Sequence, residues 1–253
     1  DLTPVATEHT ICKCCKSPAP LLGVVDFNKN CEDRRRPPMP LSGIPIYYYA
    51  CRRCGMIFTN AFDSFTKEDF ATHIYNAGYG QVDPDYASSR PAGNAQFVAA
   101  AFKTSPDISI LDYGGGNGAL AAHLRSAGFS DVTTFDPFVS AHAERPNRQF
   151  DVITSFEVLE HSNTPAHTLD EITGFLKPEG LLIFSTLLIP ADIAAIGVAW
   201  WYIAPRNGHV TLYTGTALQM MFGARGLRCG SKDSNIHAAW KKIPECARHF
   251  IRD

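Results

Sequence analysis

Four glycines fall within five positions, Gly114-Gly-Gly-Asn-Gly118, between a short apolar run that ends at Asp112 and a helix-forming stretch that starts at Ala119. No other feature narrows the fold as far. Glycines spaced this way after a strand let the main chain turn sharply and approach a ligand closely, and the helix that follows aims its N-terminal N–H groups at that ligand. Gly114 and Gly116, with Ala119 in the last place, also satisfy the dinucleotide pattern, so the loop alone admits two classes of nucleotide ligand. Asp112 separates them. It stands two residues before the first glycine, where a dinucleotide-binding strand is apolar. A carboxylate there suits a cationic aminoacyl group rather than a pyrophosphate.

The rhythm around the loop is strand–helix–strand. Strands are expected over residues 108–112, 132–136, 150–155 and 181–186, with two closing strands over 227–231 and 235–240. Helices are expected over 119–127, 165–175 and 216–224, the first stopping at Gly128 and the last before Gly226. Such alternation implies an α/β fold: a parallel sheet with helices on both faces. Upstream, residues 63–75 read as a helix capped by Asp63 or Ser64. A Gly/Pro/Asp-rich linker over 78–84 and a second helix over 91–102 follow. The domain boundaries expected are 1–60 for an N-terminal module, 61–104 for a helical linker or lid, and 105–253 for the α/β domain.

The N-terminal module is marked by cysteine. Cys12-Lys-Cys-Cys15 and Cys51-Arg-Arg-Cys54 are two Cys-x2-Cys pairs with 35 residues between them. A two-residue spacer folds a tight turn whose thiolates converge on one tetrahedral ion, and Gly55 eases the second turn. Four thiolates leave no open position, so the expectation is a structural Zn2+ held by Cys12, Cys15, Cys51 and Cys54, with Cys14 as the competing ligand in the first pair. The arginines of Arg34-Arg-Arg-Pro-Pro-Met-Pro40 lie in a loop, since three prolines in four positions fit neither a helix interior nor a central strand.

Four segments in register carry a family resemblance. Asp112-x-Gly114-x-Gly116-x-Gly118 resembles the first motif of class I S-adenosylmethionine-dependent methyltransferases, and Phe135-Asp136-Pro137 resembles their ribose-binding acidic position. Phe150-Asp-Val-Ile-Thr-Ser-Phe-Glu-Val-Leu-Glu-His161 is similar to the fourth-strand motif, and Leu176-Lys-Pro-Glu-Gly-Leu-Leu-Ile183 to the turn into the fifth strand. The resemblance covers about residues 105–190. It implies a Rossmann-like methyltransferase sheet and S-adenosylmethionine as cofactor. Asp112 would face the aminoacyl end, Gly114 and Gly116 would let the backbone approach, and Asp136 would accept hydrogen bonds from the ribose hydroxyls. Phe156 and Glu157 would line the cofactor. One departure stands out: 13 residues separate Asp136 from Phe150, where the family fits a helix and a third strand. That strand is expected to be missing or reduced, with Phe138 as a stacking partner for the adenine in its place.

Methyl transfer from a sulfonium is an in-line displacement governed by positioning, and a base is needed only where the acceptor carries a proton. His209, in the loop after the fifth strand, is the first candidate base and His161 the second. Trp200-Trp-Tyr202 serves either to stack on a flat acceptor or to pack the domain's own core, and Tyr75 and Tyr79 are candidates for closing over the cofactor. No Asn/Asp-Pro-Pro-aromatic run and no Pro-Cys nucleophile follows the fourth strand, which argues against amide-nitrogen and pyrimidine-carbon acceptors. Zinc knuckles ahead of this fold resemble bacterial zinc-containing sugar methyltransferases and zinc-bearing ribosomal RNA guanine methyltransferases. The carbon-methylating sugar enzymes carry a further C-terminal domain, so the expected reaction is O-methylation of a sugar, a polysaccharide or another small metabolite. The alternatives are an RNA methyltransferase that grips phosphates through the zinc module and Arg34 to Arg36, and an inactive cofactor-binding protein that docks a partner.

Charge favours the small-molecule or glycan acceptor. The net charge is -2, with +3 on residues 1–60 and -5 on the rest, far from the basic stripe of a protein that binds nucleic acid through phosphates. The longest apolar stretch, over 181–203, is interrupted by Pro190 and Asp192, so no membrane span is expected. Residues 1–4 lack the basic and apolar parts of a signal peptide. A cytoplasmic home is the resulting expectation, and it makes the eight cysteines candidate metal ligands rather than disulfide partners, with Cys229 and Cys246, which stand alone, read as ordinary core or surface cysteines. Nothing in the sequence specifies an oligomeric state.

Overall fold

The computed structural model describes residues 7–251; the N-terminal stretch over 1–4 read above lies outside them. Strands run in chain order as β1 (His9–Ile11), β2 (Pro18–Asp26), β3 (Pro45–Ala50), β4 (Ile57–Thr59), β5 (Ile110–Tyr113), β6 (Val132–Phe135), β7 (Phe150–Phe156), β8 (Leu176–Ser185), β9 (Thr211–Leu212), β10 (Arg228–Ser231) and β11 (Ile236–Trp240). Helices are α1 (Lys67–His73), α2 (Tyr79–Val82), α3 (Ser89–Ala101), α4 (Ala119–Ser126), α5 (Pro165–Gly174), α6 (Ile193–Ile196) and α7 (Gly215–Gly223).

The chain divides into two compact units. One comprises Asp85–Val158, Leu169–Ser185 and Phe222 onward. Its sheet has the order β10-β11-β8-β7-β5-β6, with β6, β5, β7 and β8 parallel and β11 and β10 antiparallel. All four residues of β5 are buried, as a strand enclosed on both faces requires. The core joins Ile110, Val132, Val152 and Ile183 of the sheet to Val98 of α3 and Leu120 and Leu124 of α4. Chain order reverses at β5, with β6 on one side and β7 on the other, and open α/β sheets bind ligands at the carboxyl ends of strands around such a switch point. The third strand is absent as expected. Among the described residues, β6 is the sheet edge and only a 3-10 turn over Ser140–His142 occupies the connection to β7.

The other unit comprises the chain up to Pro84 with Leu159–Thr168 and Thr186–Met221. Its sheet has the order β1-β2-β3-β4-β9, antiparallel throughout. The last strand comes from far along the chain: Ile57 pairs with Leu212 and Phe58 with Thr211. Its core is aromatic, gathering Tyr48, Phe62, Phe70, Trp200 and Tyr202 around Ile46, Ile57 and Ile74.

Two local expectations shift. The helix over 63–75 starts later, because Thr66 rather than Asp63 or Ser64 caps it: Thr66 Oγ1 accepts the Asp69 N–H at 3.2 Å while Asp69 accepts the Thr66 N–H at 2.9 Å. The linker over 78–84 contains the single-turn helix α2, which sends Tyr79 and Val82 into the aromatic core.

Candidate active site

The glycine loop joins β5 to α4, and its backbone follows from the glycines. Gly114, Gly116 and Gly118 adopt φ of +72°, +56° and +78°, a region that side chains occupy only at a cost. Asp112 is 2% exposed, and its Oδ1 accepts a hydrogen bond from Thr154 Oγ1 at 3.1 Å. Its Oδ2 is buried with no hydrogen-bond partner among the described residues. A Cβ built on Gly115 would lie 2.2 Å from that oxygen, and one on Gly114 would lie 2.4 Å from Val158 Cγ2. The loop thus drapes directly over a carboxylate whose second oxygen is unsatisfied. Burial pushes the Asp112 carboxyl up, against the Thr154 hydrogen bond and with a contribution from Asp136, to about 7.

Asp136, at the end of β6, is buried and braces the same loop: Oδ2 accepts the Gly116 N–H at 2.9 Å and Oδ1 accepts the Phe138 N–H at 2.8 Å. Each oxygen retains a second acceptor position for a ligand hydroxyl. Phe138, beside it, is 48% exposed. Phe156 closes β7 against the sheet's core. Glu157 follows with φ of +56°, a conformation uncommon for any residue but glycine and characteristic of functional turns. One hydroxyl holds it there: Ser185 Oγ accepts the Glu157 N–H at 2.9 Å and donates to Glu157 Oε1 at 2.7 Å.

An orphaned buried carboxylate under a glycine cradle, beside a second carboxylate with open acceptor positions, fits an aminoacyl nucleoside better than a pyrophosphate. The family model described as "Methyltransferase domain" matches residues 86–232. The chain belongs to the methyltransferase-domain family. A ubiquinone biosynthesis O-methyltransferase of Roseobacter denitrificans is 31% identical to it over 154 residues, 49% of this chain and 61% of the relative. This methyltransferase domain therefore spans about three fifths of that relative's length. Among solved structures, the mitomycin 7-O-methyltransferase MmcR is 19% identical with a TM-score of 0.52, covering 71% of this chain and 62% of that one. The 1,6-didemethyltoxoflavin-N1-methyltransferase of Burkholderia thailandensis, solved with S-adenosylhomocysteine, is 15% identical with a TM-score of 0.50, covering 78% and 96%. These two share its fold.

The histidines lie in the other unit. His161 ends a 3-10 turn over Leu159–His161, and His209 precedes β9. Their rings meet edge to face at 5.0 Å. The turn is tied to the residues on either side of β9, with the Val210 N–H donating to the Glu160 carbonyl at 2.8 Å and Tyr213 Oη to the Leu159 carbonyl at 2.9 Å. His209 is only 4% exposed, whereas His161 is partly open. Sequence reasoning missed Glu160, which is 0% exposed and accepts the Tyr202 hydroxyl at Oε1. The signal was an acidic residue directly before His161, at the end of an apolar strand.

The aromatic run resolves toward packing. Trp200 and Tyr202 are buried in their unit's core, and Trp201 lies under Arg34, whose guanidinium sits 3.7 Å from the ring centroid. Tyr75 and Tyr79 pack on each other at 5.1 Å, and Tyr75 also faces His161 at 6.1 Å.

The four predicted cysteines converge. Cys12 Sγ is 3.5 Å from Cys54 Sγ and Cys15 Sγ is 3.4 Å from Cys51 Sγ, with all four thiols within 4.8 Å of one another. The two turns repeat one geometry: Lys16 N–H donates to the Cys12 carbonyl at 3.1 Å and Gly55 N–H to the Cys51 carbonyl at 2.9 Å, with φ of +60° and +74°. Cys14 stays outside the cluster, its Sγ 3.7 Å from the Ala217 carbonyl. The arrangement has the size and donor set of a tetrahedral thiolate cage.

Proposed function

We propose that this chain transfers the methyl group of S-adenosylmethionine to a hydroxyl oxygen of a small acceptor, with Cys12, Cys15, Cys51 and Cys54 holding a structural Zn2+. The observation that carries the reading is the buried, unsatisfied Oδ2 of Asp112 beneath Gly115. When bound, the cofactor supplies a sulfonium methyl for in-line displacement. Asp112 binds the cationic aminoacyl end, Asp136 accepts the ribose hydroxyls, and Phe138 offers an exposed ring to the adenine. Phe156 and Glu157 line the cofactor at the end of β7. His209 and His161 handle the acceptor's proton. Asp112 and Asp136 are fixed by the loop and its strands, so the protein pays little reorganisation to bind, which is where a positional mechanism gains its rate.

Oxygen as acceptor is supported by the names of the relatives, which act in ubiquinone biosynthesis as O-methyltransferases. Sugars remain the second acceptor class, by the knuckle resemblance. Against an RNA acceptor, Arg34 is stacked on Trp201, and Glu32 pairs with Arg35 at 3.5 Å and Arg36 at 3.7 Å. No helix among the described residues is long and apolar enough to cross a membrane. Incubation with cofactor tritiated at the methyl, against separate pools of phenolic metabolites, sugars and RNA, tests the proposal. Label is expected in a small hydroxylated acceptor. Label in RNA alone contradicts it.

A further inference from the structure

Residues 222–253 carry the opposite charge to the part of the chain before them. They hold seven Lys/Arg against three Asp/Glu, a net of +4, whereas residues 61–221 hold eight against 17, a net of -9. Four of these cations converge on one open cleft of about 720 Å³: Arg228 of β10, Lys241 and Lys242 just after β11, and Arg248. Among the described residues no carboxylate lines it, and its remaining walls are the apolar Trp240, Ile243 and Ile251.

Strand pairing builds the site. Arg228 and Trp240 are partners in the β10–β11 register, so their side chains stand close together on one face of the sheet. Trp240 is buried with Ile251 in the core of its unit, while the four cations are exposed. The benzo edge of the indole lies against Gly230, where a built Cβ would come 3.2 Å from Cη2. Nε1, on the pyrrole ring, is buried with no hydrogen-bond partner among the described residues, a rarity for a core indole. Glu179 pairs with Lys242, and Glu245 pairs with Arg248 at 3.0 Å, both from exposed positions. Such pairs contribute at most about 1 kcal/mol and yield to a better anion. The cleft lies at the end of the sheet away from the glycine loop. Trp240 pairs with Leu181, Leu181 with Val152 and Val152 with Ile110, the first residue of β5, whereas the loop follows the last residue of β5, Tyr113.

We propose that this cleft binds a small organic phosphate, at a site separate from the methyl-transfer centre. The two guanidinium and two ammonium groups offer more donors than the two oxygens of a carboxylate can take, whereas a phosphate monoester brings three oxygens and a charge of about −1.5 to −2. Its flat or apolar part rests on Trp240, Ile243 and Ile251, and one of its oxygens gives Trp240 Nε1 the acceptor that the core lacks. The volume is in the usual range of small-molecule clefts. The site does not rest on the methyltransferase reading.

Calorimetric titration of the full chain with phenyl phosphate tests the proposal, with inorganic phosphate and phenol as the two halves of the probe. One phenyl phosphate per chain is expected, bound at least about 10-fold more tightly than either half and more weakly as salt is added. Lys241→Gln combined with Arg248→Gln changes two exposed positions, with thermal unfolding as the check on the fold. It should weaken binding about 10-fold or more, because charge-assisted hydrogen bonds are lost. Trp240→Phe, which keeps a ring and removes the N–H, should weaken binding and leave its salt dependence. Asp136→Ala, in the cofactor crevice, should leave it unchanged. No saturable binding by the wild-type protein, or equal binding after Lys241→Gln and Arg248→Gln, overturns the proposal. So does inorganic phosphate binding as tightly as phenyl phosphate, since the apolar seat would then contribute nothing.

Discussion

The carboxylate of Asp112 fills the space that a side chain on Gly115 would need: a Cβ there would meet Oδ2 at 2.2 Å. The same substitution would also meet Thr134 Cγ2 at 2.8 Å. Gly115→Ala should therefore displace the loop and abolish cofactor binding. Gly116→Ala meets nothing within 4 Å and faces only its φ of +56°, a cost of about 1–2 kcal/mol. Thermal unfolding and calorimetry of the pair check this ordering, Gly115→Ala being the more damaging.

Asp112 also sets a pH dependence. A carboxyl raised to about 7 by burial keeps its proton in the folded protein while the unfolded chain releases it near the ordinary value of 3.8. This group's contribution to stability is thus fully present at low pH and is lost as pH rises through the interval up to about 7, by a few kcal/mol. Asp112→Asn should raise the unfolding temperature of the ligand-free protein at pH 8, and by markedly less at pH 5, where only the lower part of the interval between 3.8 and about 7 has been crossed. A cationic ligand demands the ionised form, so its affinity should fall by up to about tenfold per pH unit below 7. Calorimetry at pH 6 in buffers of different ionisation enthalpy should detect release of a proton on binding.

Asp136 has two duties, bracing Gly116 and Phe138 and offering its remaining acceptor positions. Asp136→Ala is expected to weaken S-adenosylhomocysteine binding by about 2–3 kcal/mol, since a charged acceptor of several hydrogen bonds is lost. Titration calorimetry gives the number directly, and unchanged affinity would refute the role.

In the cysteine cage, Gly55 is held at φ of +74°, and a Cβ built on it would lie 2.6 Å from Thr214 Cγ2. Gly55→Ala should lower stability, and Cys51→Ser should remove the bound Zn2+. Cys14→Ser should retain it. Zinc measured by atomic emission against protein concentration checks the three variants together.

How much of this was legible depended on the range of the interactions. The β5 loop, Asp136 and the missing third strand were readable because each is set by residues close in sequence: a glycine spacing, an acidic strand end, and a connection of 13 residues too short for a helix and strand. The paired cysteines were readable for the same reason, a two-residue spacer forcing a turn. By contrast, β9 is two residues long and pairs with β4 across more than half the chain, and no local pattern announces such a partner. The Glu160, Tyr202 and His209 cluster is joined by another long-range contact, the Val210 N–H donating to the Glu160 carbonyl, and by Tyr202 bonding to both Glu160 and His209, so its residues look unrelated in sequence. The Thr66 cap has the Thr-x-x-Asp pattern of a capping box, and Asp63 and Ser64 just upstream are equally good cap residues by type, so type alone does not choose among them.

The central claim, that the crevice under Gly114 to Gly116 holds an aminoacyl adenosine, is tested most directly by calorimetric titration of the wild-type protein with S-adenosylhomocysteine and, separately, with NAD. Saturable one-to-one binding of S-adenosylhomocysteine and no heat from NAD is the predicted result. Binding of NAD with no response to S-adenosylhomocysteine would contradict the account.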